Sequence, residues 1–272
     1  MMNFLEAIKA AWRYKNTLLC IGLDPDLNKI PSHIRNLDAP FFEFNKAIID
    51  STHDLVCAYK TQIACYSARG LESDLERTID YIHEHYPQIP VILDSKRGDV
   101  PSTAEMYAME AFDRYHADAV TVNAYLGSDT LSPFLNRKER GVIILCRTSN
   151  PGAGEIQDLQ SNGKKIYRII AEKASAEWNY NGNVLLVVGA TYPEELGEIR
   201  TISGEMPLLV PGIGTQGGDV RKAVINGRDR NGTGMIINSS RAIIYASPET
   251  DFAEAARTAA LALRDEINRY RS

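Results

Sequence analysis

The sequence predicts an α/β chain folded as a (β/α)8 TIM barrel, on three observations. Eight short apolar runs are spread along the 272 residues. They are nearly continuous in Val, Ile and Leu and do not alternate strictly, as parallel strands buried on both faces read. Helical patterns fill the gaps between them, so strand and helix alternate along the whole chain. One such barrel takes roughly 250 residues, so residues 1–272 read as a single domain, with no linker, charge block or low-complexity segment to divide them.

In chain order the strand candidates are Thr17–Leu23, Val56–Gln62, Pro90–Ser95, Asp118–Ala124, Gly141–Arg147, Asn183–Gly189, Pro207–Pro211 and Met235–Ser239. Phe41–His53 shows helical spacing of Phe41, Phe44, Ala47 and Ile48. In Ser73–Glu84 the residues Leu75, Ile79 and Ile82 share a face, and Ser73 with Glu76 has the spacing of a capping box. Thr103–Tyr115, Lys164–Trp178, Pro193–Ile202 and Asp219–Ile225 read as helices too, and Asp251–Arg269 as an alanine-rich closing helix. Thr148–Gly163 is the one long irregular stretch. A loop of that length after a strand is more often functional than idle.

Composition narrows the function classes. Net charge is −5 with no basic stretch, which argues against a nucleic-acid binder. No run of about 18 apolar residues is present, and Met1–Tyr14 lacks the apolar core of a signal peptide; a membrane partner is not expected. The four cysteines, 20, 57, 65 and 146, form no C-x-x-C pair. They read as small hydrophobes in a reducing, cytoplasmic compartment. His83 and His85 tempt as a metal pair, but residues two apart on a helix do not face each other, so no metal is expected there.

Active-site residues of such barrels project from the C-terminal ends of the strands. Asp24 follows the first strand candidate, Lys60 lies in the second, Asp94 and Lys96 end the third, Ser149 follows the fifth and Arg241 the eighth. Strand residues two apart point the same way, which puts Asp94 and Lys96 on one face. Asp24 and Lys60 can reach the same mouth, giving an alternating array of carboxylates and ammonium groups. An Asp–Lys pair alone reads as a structural ion pair; four such charges at adjacent strand ends favour a functional site.

Gly212-Ile-Gly214-Thr-Gln216-Gly217 has G-x-G-x-x-G spacing between a strand and a helix. A dinucleotide fingerprint belongs to a first βα unit, and here six precede it. The better reading is a phosphate site. Loops after the seventh and eighth strands of barrels commonly hold phosphate, glycines let backbone N–H groups approach an anion, and Arg241 adds a guanidinium fork.

Asp94-Ser95-Lys96-Arg97-Gly98-Asp99 resembles the D-x-K-x-x-D signature of the orotidine 5'-monophosphate decarboxylase family. Cys20-Ile-Gly-Leu-Asp24-Pro is similar to that family's first-strand motif, Tyr59-Lys60 to its second, and Pro211–Asp219 to its phosphate loop. Arg147-Thr-Ser-Asn-Pro-Gly-Ala153 with Phe44-Asn45 resembles its longer bacterial branch, and together the motifs span nearly the whole chain. The resemblance implies a cofactor-free enzyme making uridine 5'-monophosphate, the last step of its de novo synthesis. In it Lys96 would protonate C6 as carbon dioxide leaves, and Asp94 would lie beside the substrate carboxylate. Lys60 and Asp24 would hold the ribose, Ser149 would contact the pyrimidine, and Asn45 would be a further contact. Gln216 and Arg241 would grip the phosphate. Asp99 and Thr103 would enter the neighbouring subunit's site in an obligate homodimer.

That chemistry fits the residues. Loss of carbon dioxide leaves an electron pair in an sp² orbital with no conjugated sink. No cofactor motif is present, so a preorganised cation at the carbon is the remaining resource. A lysine held between carboxylates stays protonated. The nearest rival is a magnesium-dependent sugar-phosphate decarboxylase or aldolase sharing the D-x-K-x-x-D motif. Lys60 and the Thr148–Gly152 segment speak against it. A silent nucleotide-binding barrel is the rival of another class, and the intact charged set speaks against that.

Overall fold

The computed structural model describes residues 2–213 and 219–271. Eight parallel strands close a barrel: β1 (Leu19–Leu23), β2 (Ala58–Gln62), β3 (Val91–Arg97), β4 (Ala119–Val122), β5 (Gly141–Arg147), β6 (Val184–Val188), β7 (Leu208–Val210) and β8 (Met235–Ser239). They follow one another in chain order around the barrel, and β1 pairs with both β2 and β8. All eight match the expected runs. Two have the expected bounds, β5 and β8; the others begin or end within two residues of them, as strand ends commonly do.

The apolar strand residues, apart from half-buried Leu145, are buried on both sides, inside the barrel and beneath the helices. Phe4, on the first helix, would touch a methyl added at Gly141 at the start of β5. That helix therefore packs against the N-terminal end of the barrel. Asn3 caps it, accepting from Glu6 N at 2.9 Å, while the Glu6 carboxylate accepts from Asn3 N at 3.0 Å.

Two local expectations are corrected. Ser73 is not an N-cap: the helix runs Glu72–His85, and Ser73 lies inside its first turn. The buried carboxylate is instead Asp74, whose Oδ2 accepts from Phe41 N at 2.9 Å and Phe42 N at 3.2 Å. It thus caps the neighbouring helix Pro40–Thr52, where tertiary packing supplies the capping oxygen that Ala39 at the N-cap cannot. Thr148–Gly163 is also not irregular throughout: it holds a 3-10 turn at Pro151–Ala153, a helical turn at Gly154–Gln157, and one strand of a hairpin, Gln160–Ser161 with Lys164–Lys165. Lys164 and Lys165 are therefore strand, and the helix that follows begins at Ile166.

Candidate active site

A cavity of about 420 Å³ opens at the C-terminal ends of the strands. One wall is charged and polar, with Asp24, Lys60, Gln62, Asp94, Lys96 and Thr121. The opposite wall is largely apolar, with Leu145, Val187, Leu209, Pro211 and Ile213. The split follows from the pleat: inward positions near the ends of β2 to β4 carry polar side chains, and those of β5 to β7 carry Leu and Val.

Asp94 is the hub of the charged wall and is 8% exposed. Its Oδ1 accepts from Lys96 Nζ at 2.5 Å and from Thr121 Oγ1 at 2.8 Å. Its Oδ2 lies 3.2 Å from Lys60 Nζ and accepts from Gln62 Nε2 at 3.2 Å. Lys60, 4% exposed, also donates to Asp24 Oδ1 at 3.3 Å. The array runs Asp24, Lys60, Asp94, Lys96, in alternating sign.

Burial and pairing compete here. Burial pushes the Asp94 carboxyl up, but Lys60 and Lys96 with the Thr121 hydroxyl more than reverse this and hold it at about 2. Burial pulls the Lys60 ammonium down, and the carboxylates of Asp24 and Asp94 overcome it, leaving it above the ordinary lysine value. Both groups therefore stay charged across the physiological range.

The route by which Lys96 reaches Asp94 differs from simple strand alternation. Pairing of β3 with β4 runs Leu93 to Val120 and resumes at Arg97 to Val122, so three residues of β3 stand opposite Thr121 alone. Lys96 sits in this bulge with φ +50°. A left-handed conformation costs a residue with a Cβ roughly 1–2 kcal/mol, and such strain persists where its surroundings over-determine it. Side chains next to active sites are often re-aimed by bulges of this kind.

Asp24 is fixed from behind. Tyr245 Oη donates to its carbonyl at 3.1 Å, and Ser240 Oγ donates to Gly22 O at 2.9 Å. A methyl at Gly22 would stand 2.8 Å from Ser240 Cβ and 3.1 Å from Asp24 Oδ2; the glycine permits this approach.

Of the other expected site residues, Ser149 lines the cavity and Arg241 lies exposed at its rim. Asn238 of β8, 7% exposed, also lines it, and its Oδ1 has no partner among the described residues. Gly214, Gln216 and Gly217 lie outside the described residues. Asn45 is not among the residues lining the cavity. It is fully buried, donating to Tyr66 Oη at 2.8 Å and Thr78 Oγ1 at 3.1 Å. Tyr66 in turn donates to Leu23 O at 3.0 Å, so Asn45 braces the end of β1 beside Asp24. Asp99 and Thr103 also lie off the cavity. Asp99 Oδ1 accepts from Val100 N at 2.7 Å, and Thr103 is on the helix Pro101–Met109.

Sequence reasoning missed Gln62 and Thr121. Gln62 is two residues past Lys60 on the same strand face, and Thr121 is the polar residue of the otherwise apolar strand Ala119–Val122. Strand alternation offered the signal for Gln62, whereas that for Thr121 depends on the bulge in β3. The four cysteines are unpaired, three of them buried, and burial raises each thiol. No cluster of three His, Cys, Asp or Glu side chains disposed to hold a metal occurs among the described residues, and no described helix is long and apolar enough to cross a membrane.

Comparison with known proteins gives this geometry a context. Residues 17–258 match a family model described as "Orotidine 5'-phosphate decarboxylase / HUMPS family". The chain is 54% identical over 271 residues to orotidine 5'-phosphate decarboxylase of Ralstonia pickettii, covering 100% of each. It is 57% identical over 269 residues to that of Cellvibrio japonicus, covering 98% of each. Among solved structures, Leishmania donovani OMP decarboxylase superposes with a TM-score of 0.85 at 36% identity, over 99% of both chains. UMP synthase of the same organism gives a TM-score of 0.88 at 38% identity; all of this chain matches 57% of that longer one.

Proposed function

This chain belongs to the orotidine 5'-phosphate decarboxylase / HUMPS family, and on that premise we propose that it converts orotidine 5'-monophosphate to uridine 5'-monophosphate and carbon dioxide. The observation that carries the proposal is the pair of lysine ammonium groups on the two oxygens of buried Asp94, 2.5 and 3.2 Å away, in the charged wall of the cavity. The bond from C6 to the carboxylate breaks and leaves its electron pair on C6. Lys96, 45% exposed at its side chain and so open to the cavity, stabilises that charge and passes a proton to C6. Solvent then restores the ammonium. Asp94 aims Lys96 through the hydrogen bond its Oδ1 accepts from Nζ, and stands where the substrate carboxylate must approach.

Lys60 and Asp24 serve the ribose, Ser149 the pyrimidine edge, and the apolar wall the ring face. Gln216 and the glycines Gly214 and Gly217, with Arg241, take the phosphate. Residues 1–272 act as one catalytic domain in the cytoplasm, without a cofactor. The family description joins two names; the relatives matched over their full length carry the decarboxylase name. A magnesium ion would have to displace ammonium groups already seated on both Asp94 oxygens, which favours the metal-free reading.

Asp99 and Thr103 serve the partner's site in a homodimer. The segments around them expose Val100, Met106, Met109, Tyr125 and Leu126, a surface of the kind that marks an interface. Gly98 brings these segments together, since a methyl there would stand 2.9 Å from Asn123 O.

Loss of orotidine 5'-monophosphate absorbance with release of carbon dioxide, after dialysis against a chelator, tests the activity. A protein inert toward this substrate, or one that chelation silences and magnesium restores, would overturn the reading.

A further inference from the structure

We propose that Thr121 is a positioning residue for the decarboxylation: its hydroxyl shapes the bulge that aims Lys96. The inference rests on the reading that Lys96 delivers the proton at C6. Three residues of β3, Asp94, Ser95 and Lys96, stand opposite Thr121, so backbone pairing between the strands lapses there. The amides of Ser95 and Lys96 both donate to Thr121 Oγ1 instead, at 3.0 and 2.9 Å. The same oxygen donates its own proton to Asp94 Oδ1 at 2.8 Å.

One hydroxyl therefore does three things. It supplies an acceptor to two part-buried strand amides that have no ladder partner at the bulge, and strand amides left without a partner are costly. It makes the turn at φ +50° the conformation in which Lys96 N is satisfied. It also holds the Asp94 oxygen on which Lys96 Nζ rests. Backbone and side chain of Lys96 are thus tied to a single atom of the neighbouring strand. Thr121 is 1% exposed, and its hydroxyl is engaged by the amides of Ser95 and Lys96 and by the Asp94 carboxylate, so it acts through them. Misplacement of a reacting group by about 1 Å costs on the order of a hundredfold in rate.

The hydroxyl and the methyl can be separated. Thr121→Val keeps the shape and removes the hydroxyl; Thr121→Ser keeps the hydroxyl. Thr121→Val is expected to lower kcat by roughly 30- to 100-fold with KM within about threefold, because phosphate and pyrimidine contacts lie elsewhere. Thr121→Ser is expected to keep kcat within about fivefold of wild type. Circular dichroism and titration with uridine 5'-monophosphate count the folded sites. If Thr121→Val does not fold, Thr121→Ala against Thr121→Ser makes the same contrast. The proposal is overturned if kcat per folded site survives loss of the hydroxyl, or if Thr121→Ser falls as far as Thr121→Val. Lys96→Ala is measured alongside: if that variant is active, the donor assignment itself fails, whereas an inactive Lys96→Ala with a fully active Thr121→Val sinks only the role of Thr121.

Discussion

Two buried cations lie at opposite ends of this barrel and are held in opposite ways. Arg200, 9% exposed near the N-terminal ends of β7 and β8, donates to the carbonyls of Gly204, Met206, Gly227 and Gly234, all at 2.7 Å. Burial dominates there and draws its guanidinium down to about 10, with Asp229 opposing. Lys60, at the C-terminal ends, faces the carboxylates of Asp24 and Asp94 and is drawn up. Neutral carbonyls satisfy hydrogen bonds and tie loops together, but they add no counter-charge. Carboxylates fix a charge that stays available to a ligand. A buried cation caged by carbonyls reads as architecture, and one suspended between carboxylates in an open cavity reads as chemistry.

The comparison breaks first on mutation. Lys96→Ala is expected to lower kcat at least a thousandfold, roughly 4 kcal/mol of barrier, with the fold intact. Lys60→Met should follow in the same direction. Arg200→Met should do the reverse, leaving carbonyls unpaired and lowering stability by roughly 2–4 kcal/mol, while kcat per folded site stays within about twofold. Urea denaturation and active-site-normalised kinetics separate the two. Activity of Lys96→Ala within tenfold of wild type, or a rate defect in folded Arg200→Met, would erase the distinction.

The next largest effect concerns the rim. Arg241 is exposed, and its guanidinium makes no ion pair among the described residues. If it closes on the substrate phosphate, Arg241→Ala should weaken the nucleotide by roughly 2–5 kcal/mol and leave the bare nucleoside nearly unchanged. Equal losses for both would remove Arg241 from the phosphate site. Partner exchange is smaller still but qualitative. Inactive Lys96→Ala and Asp99→Ala, refolded together, should regain about a quarter of wild-type activity, because random pairing makes half the dimers mixed, each with one intact site. A mixture as inactive as its parents, with mixed dimers demonstrated, would return Asp99 to its own subunit.

How much was legible divides along the same two walls of the cavity. The charged wall could be read because Asp and Lys at strand ends contradict the apolar rhythm, as Asp94 and Lys96 do. The opposite wall could not, because Leu145, Val187 and Leu209 continue that rhythm and differ from core only in facing a cavity. Thr121 fell between: one polar residue in a short strand is common, and its importance depends on a bulge in the neighbouring strand that no local pattern encodes. Asn45 shows the converse. Its motif was recognisable, but its position beneath Tyr66 comes from helix packing. Strand order followed from the β/α rhythm, whereas the cap that Asp74 supplies to Phe41 depends on contact between helices.

The smallest effect sharpens the comparison through pH. The Asp94 carboxyl is lowered to about 2 in the folded protein and takes roughly 3.9 when unfolded. A lowered carboxylate value stabilises the fold above the unfolded pKa, and that contribution disappears as pH falls through the folded one. It amounts to roughly 2 kcal/mol above pH 5, with about half gone by pH 3. Asp94→Asn cannot titrate, so the stability difference between wild type and Asp94→Asn should shift by roughly 1 kcal/mol between pH 6 and pH 3, against the wild type at the lower pH. The starting difference does not matter: Asn leaves two lysines facing each other, and that repulsion is the same at both pH values. Arg200→Met supplies the contrast, because arginine keeps its proton throughout this window and its difference from wild type should stay flat. A flat difference for Asp94→Asn as well would mean that the lysines do not hold Asp94 ionised, and the two ends of the barrel would then bury their cations on the same terms.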